Sequence, residues 1–148
     1  MKRTLQTIGL VWLLLVVGGP VQAEQFERIG NYQIHYSAVN TRFLAPEVAA
    51  AYDIPRSKVI ALLSVNVLEE QPDGSTEAVS AVVNGRVANL TGQSQSLAFR
   101  TILEDDSIYQ LATFRIQPDE PLRFTLDVRY DRNAEPAEVA FMQRFYID

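Results

Sequence analysis

The 148-residue sequence contains no cysteine, which removes disulfides, thiol redox chemistry, cysteine nucleophiles and thiolate metal sites together. Burial of apolar surface must hold the fold unaided. Histidine is nearly absent, with His35 alone, and Met142 is the only methionine after the first residue. A copper carrier needs several imidazole or thioether ligands in one place, so the composition argues against one. Trp12, the single tryptophan, falls within the N-terminal apolar run, which weakens a carbohydrate-stacking reading although six tyrosines are present. Also missing are a Gly-x-Ser-x-Gly elbow, a Pro/Gly/Ser-rich linker, internal repeats and any feature that calls for a cofactor.

What is present begins with export. Lys2 and Arg3 supply positive charge, Ile8 to Val17 is apolar apart from Gly9, and Gly18-Gly19-Pro20 break the run. Val21 and Ala23 then stand at the −3 and −1 positions of a cleavage site, the pattern of a secretory signal peptide covering residues 1–23. The apolar run is about half the roughly 20 residues that span hydrocarbon, so a membrane anchor is not expected. With no cysteine behind it, neither is lipid attachment. Cleavage leaves residues 24–148 as one expected domain, and loss of Lys2 and Arg3 takes the net charge from −5 to −7. Such a surface repels nucleic acid and anionic lipid.

Along the mature chain the dominant period is two. Tyr32, Ile34 and Tyr36 alternate with Gln33, His35 and Ser37 in a first strand over Ile29 to Ala38, behind a lead-in at Glu24 to Arg28. Pro46, Glu47 and the run Val48 to Tyr52 predict a short helix, with Leu44, Val48 and Tyr52 as its docking stripe. So short a helix needs tertiary contact to exist. Val59 to Leu68 is apolar on both faces over much of its length and reads as the most central strand. Pro72-Asp73-Gly74 is a turn.

Ala78 to Leu90 is best read as one long strand with a bulge at Gly85, since Val79, Ala81, Val83 and Val87 stay in phase. The alternative is a hairpin at Asn84-Gly85. Strands over Leu97 to Leu103, Ile108 to Ile116, Leu122 to Tyr130 and Val139 to Ile147 follow, the third alternating strictly. Seven strands spaced about ten residues apart, with one short helix between the first two, predict an antiparallel immunoglobulin-like β-sandwich.

The segments Tyr32-Gln33-Ile34-His35-Tyr36, Phe43-Leu44-Ala45-Pro46-Glu47 and Tyr52-Asp53-Ile54-Pro55-Arg56-Ser57-Lys58, with Asn40 between the first two, give the chain a resemblance. It resembles a small exported domain family of proteobacteria whose function is unknown. The resemblance extends over nearly the whole chain and implies location and a sandwich fold. It brings no catalytic or ligand residues.

Candidate chemistry is sparse. His35 is the only side chain titrating near neutrality, and without a second histidine it suits a hydrogen bond to a neighbour better than a metal or a catalytic triad. Ser57 and Lys58 are adjacent and would face opposite sides of a strand, which defeats a nucleophilic pair. Glu69-Glu70, Glu104-Asp105-Asp106 and Asp119-Glu120 lack the spacing of a calcium loop and read as solvated turns.

The constellation that stands out is Arg42 before the helix with Arg56 and Lys58 after it. A two-turn insert brings the chain back near its start, so these cations are expected to share one end of the sandwich, close to His35. They would suit a carboxylate, a phosphate or a partner's acidic loop. Neutralisation by Glu47 and Asp53 is the plainer alternative. The sequence therefore points to a non-enzymatic periplasmic binding domain, whose partner is another exported or envelope protein or a small anionic ligand. An enzyme using His35 with a carboxylate is the alternative, and a protease-inhibitor-like sandwich is disfavoured by its charged loops.

Overall fold

A computed structural model describes residues 25–146, so the signal peptide expected over residues 1–23 lies outside the described residues. The elements in order are β1 (Gln25–Ile29), β2 (Tyr32–Asn40), a 3-10 turn (Thr41–Phe43), α1 (Pro46–Ala51), β3 (Ile60–Glu70), β4 (Thr76–Val79) and β5 (Val82–Ala88). They continue with β6 (Ser94–Leu97), β7 (Arg100–Glu104), β8 (Ser107–Arg115), β9 (Glu120–Arg129) and β10 (Ala137–Phe145). One sheet has the order β1-β2-β3-β8-β7, with β4 pairing β3, and the other has β10-β9-β5-β6. Every pairing is antiparallel, and the two sheets form a β-sandwich.

β3 is central, as its two-sided apolar character predicts. Ala61 to Glu69 pair with β2 along one edge, while β8 and then β4 share the other. Its inward residues Ala61, Leu63, Val65 and Val67 are fully buried against Phe124, Leu126 and Val128 of β9. Phe124 anchors the centre, stacked on Phe141 at 4.5 Å and edge-on to Phe114 at 5.2 Å. Such aromatic pairs add about 0.5–1.5 kcal/mol beyond their burial.

Among the described residues ten strands replace the seven expected, for two reasons. The lead-in is itself a strand, β1, joined to β2 by the two-residue turn Gly30-Asn31, where Gly30 supplies φ 59°. β1 is wet over most of both faces and so carries no alternation to read. The second reason is that two of the expected strands change sheets. β4 passes to β5 through Ser80-Ala81, and β6 to β7 through Ala98-Phe99. Ala81, Val83 and Val87 stay in phase because both sheets present the same side to one core.

Asn84-Gly85 makes neither the expected bulge nor a hairpin. Asn84, Gly85 and Arg86 pair in unbroken register with Asp127, Leu126 and Thr125. Glycine is required there by close approach, since a Cβ would fall 2.6 Å from both Leu126 Cδ2 and the Thr125 carbonyl oxygen.

The insert between β2 and β3 lies on the outer face of the first sheet. Leu44, Ala49 and Ile54 pack on Leu62 and Leu111, with Val39, Tyr52, Ile102 and Tyr109 at the rim, forming a second apolar cluster. Tyr52 is thus at the margin of the docking stripe. The helix ends in a Schellman arrangement: Asp53 N–H donates to Ala50 O and Ile54 N–H to Ala49 O, with Asp53 at φ 56° and Ile54 buried.

Candidate functional site

Asn40 and Thr41 tie the two ends of the insert together. Asn40 Nδ2 donates to the Lys58 carbonyl and its Oδ1 accepts from Arg42 N–H. The fully buried Thr41 hydroxyl lies 3.1 and 2.9 Å from the carbonyls of Ser57 and Ile60, and its oxygen accepts from Ser57 N–H. Arg42, Arg56 and Lys58 are thereby brought to one end of the sandwich, as the sequence predicts. Arg56 Nη2 donates to the Arg42 carbonyl at 3.2 Å, and the Arg42 guanidinium sits 4.7 Å from the Phe43 ring centre.

Sequence reasoning missed a fourth cation. Arg100, from β7, donates to the Tyr52 and Asp53 carbonyls at the C-terminal end of α1. No local pattern announces it, because the contact joins residues 48 and 47 positions apart.

His35 is not part of this group. It pairs with Phe26 and Asn66 in the sheet, five residues from Asn40, or about 17 Å along the strand. Its ring stacks on Phe26 at 4.9 Å, and Nε2 lies 2.9 Å from Gln33 Oε1. Gln33 Nε2 donates to Glu70 at 2.6 Å, which leaves its Oε1 as an acceptor and makes His35 Nε2 the donor. Arg28 completes the chain with an ion pair to Glu70 at 2.9 Å. The arrangement fastens β1 and β2 to β3.

A cleft of about 570 Å³ opens between the sheets at the cationic end, with Val59 at its rim one residue from Lys58. Its floor includes the buried Val87, Ile116 and Leu122, and Gln93, Gln95 and Arg115 are among the polar residues around it. One wall is the β5–β6 loop, folded around Asn89, whose Oδ1 accepts from Thr91 N–H, Thr91 Oγ1 and Gln93 N–H. The other is the β8–β9 corner, fixed by Asp119 N–H donating to the Phe145 carbonyl and by Arg144 donating to Asp119. Gln95 bridges to the main chain of Arg115, donating to its carbonyl and accepting from its N–H, and so joins β6 to β8 across the sheets. The amide-rich run Asn89 to Gln95 was the available signal for this cleft, and it reads in sequence only as a strand-ending turn.

Two of the three acidic groups sit at turns, but Glu69-Glu70 does not: both are ladder residues of β3, opposite Glu77 and Thr76 of β4, because the strand runs on to its hairpin. Asp105-Asp106 closes β7 onto β8 with Asp105 at φ 54°, and among the described residues no group of three or more His, Cys, Asp or Glu could hold a metal ion. Asp73 accepts from the Ser75 hydroxyl and N–H, which lowers its carboxyl pKa. Burial, then Glu69 and Asp131, raise the Tyr32 phenol. Among the described residues no helix is long and apolar enough to cross a membrane.

Comparison with solved structures places the fold among known relatives. A crystal structure of a DUF4426 family protein from Pseudomonas aeruginosa PAO1 is 33% identical, covers 87% of this chain and 99% of its own, and superposes with a TM-score of 0.73. FetP of uropathogenic E. coli strain F11, expressed in the periplasm of E. coli, is 12% identical with a TM-score of 0.60, over 86% of this chain and 98% of its own. A copper-bound variant of FetP gives the same identity and TM-score over 83% and 95%. At that identity the likeness is one of fold alone. No curated protein matches the chain. Residues 26–148 match the domain of unknown function DUF4426, and the chain belongs to that family.

Proposed function

We propose that the protein is an exported, non-enzymatic binding domain of the periplasm that takes a small anionic ligand at the cationic end of its sandwich. The observation that carries the reading is the cleft itself, with an apolar floor, amide-bearing walls, Arg115 and Glu120 in its lining, and Val59, the chain neighbour of Lys58, at its rim. Both walls are held by hydrogen bonds within the chain, so the site exists before a ligand arrives. A preformed cleft loses less conformational freedom on binding. Arg42, Arg56 and Lys58 supply a positive field around a ligand whose polar groups the glutamines would meet. His35 stands apart, engaged with Gln33 and Phe26.

The test is a two-dimensional NMR titration of the exported chain with inorganic phosphate, citrate and free amino acids. Amide shifts should concentrate at Val59, Asn89, Gln93 and Gln117. Arg56→Glu with Lys58→Glu should weaken the interaction by about fivefold or more at low salt. Shifts centred elsewhere, or none across the series, would overturn the reading.

A further inference from the structure

Strand register divides the charged side chains between the two ends of the sandwich, and the division is far from even. At the end holding the β3–β4 hairpin, the β7–β8 turn and the β9–β10 loop, twelve carboxylates among the described residues face three arginines, a net of −9. The half that carries the insert and the cleft holds eight cations and four carboxylates, a net of +4. β3 alone spans eleven residues, so the poles stand roughly 35 Å apart.

The acidic pole is maintained against the local preferences of the sheet. Glu69 lies directly opposite Glu77, and Asp127 directly opposite Glu138. Like charges in facing positions destabilise a ladder, and an arginine or lysine at either site would relieve it. One such pair in each sheet, with the Asp105-Asp106 turn of β7–β8, falls at the same end of the strands and makes that end acidic. Its complement in sign is the other end of the same molecule.

We infer that the protein associates with a second copy of itself head to tail, the acidic end of one copy seated on the cationic insert of the next. The two surfaces lie at opposite ends of the strands, so the contact is heterologous and generates open rows rather than a closed dimer. The charges are largely exposed, so association falls away as salt rises. The contact shares Arg56 and Lys58 with the ligand reading above but not the cleft's amide walls, so a variant in those walls separates the two.

Sedimentation equilibrium of the exported chain tests this. At low ionic strength the weight-average mass should climb with concentration past that of a dimer, and about 0.3 M salt should return it to the monomer. Arg56→Glu with Lys58→Glu, and separately Glu77→Lys with Asp106→Lys, should each give monomers, all four side chains being exposed. An equimolar mixture of the two variants should associate again, because each supplies the pole the other lacks. Circular dichroism establishes that the variants are folded. Gln93→Leu should leave the association unchanged while removing a cleft contact. A wild type that stays monomeric at low salt would overturn the inference. So would variants that still associate, or a mixture that does not.

Discussion

The outer face of the first sheet is built in two halves, and they obey different rules. On the half under the insert, Val39, Leu62, Tyr109 and Leu111 point away from the main core yet meet the apolar side of Leu44, Ala49 and Ile54. On the other half the same strands present Gln33, His35 and Asn66, and the contacts are hydrogen bonds, a ring stack and an ion pair. β2 and β3 thus change outward chemistry partway along their length, and the change marks where the insert stops. An outward leucine on a strand is a request for cover, whereas an outward glutamine or histidine is not.

Substitutions separate the halves by size of effect. Leu62→Ala, in the covered half, should cost about 2–4 kcal/mol, read as a fall in the denaturation midpoint, since it opens a cavity beneath the helix. A loss under about 1 kcal/mol would mean that the helix is only loosely seated. Thr41→Val should cost about 1–3 kcal/mol by leaving the Ser57 N–H and the Ile60 carbonyl without their partner, and hydrogen exchange should show the insert opening ahead of the sheets.

Asp53→Gly should act in the opposite direction. It should raise stability by about 0.5–1 kcal/mol, because glycine takes φ 56° without a Cβ penalty. In the open half, His35→Gln should shift the midpoint by no more than about 0.5 kcal/mol, in keeping with an exposed-face substitution. A larger loss would show that the Arg28–Glu70–Gln33–His35 chain supports β1 more than its exposure suggests.

The smallest effect is one of pH, at the β3–β4 hairpin. Hydrogen bonds from Ser75 depress the Asp73 pKa, so their stabilisation is present above the ordinary carboxylate value and is lost as pH falls through the lower, folded value. Ser75→Ala should flatten that part of the acid limb of a stability-versus-pH curve by lowering stability slightly at neutral pH and leaving it nearly unchanged below the folded value.

Much of the architecture was legible where one face of a strand is wet and the other dry. Leu122, Phe124, Leu126 and Val128 are buried as their alternation predicts, and the two-sided run of β3 is central. The sheet changes at Ser80-Ala81 and Ala98-Phe99 were illegible for a physical reason: alternation reports which side of the chain is buried, and both sheets bury the same side. The grouping of Arg42, Arg56 and Lys58 followed from the insert's two-turn length. The position of His35 did not, because five residues of extended strand separate it from Asn40 and carry it well away from the insert. The cleft and Arg100 depend on contacts between distant segments, for which no short pattern exists.

The glutamines between the sheets have a mechanical consequence. Gln95 joins β6 to the main chain of β8 on one flank, and Gln143 donates to the Ala38 carbonyl of β2 on the other. Together with the two strands that cross between sheets, they act as rivets. The layers resist both sliding and sideways gaping, and a force that peels the chain from its C-terminus must unzip β10 from β9 and break the Gln143 bond before the central strands feel the load.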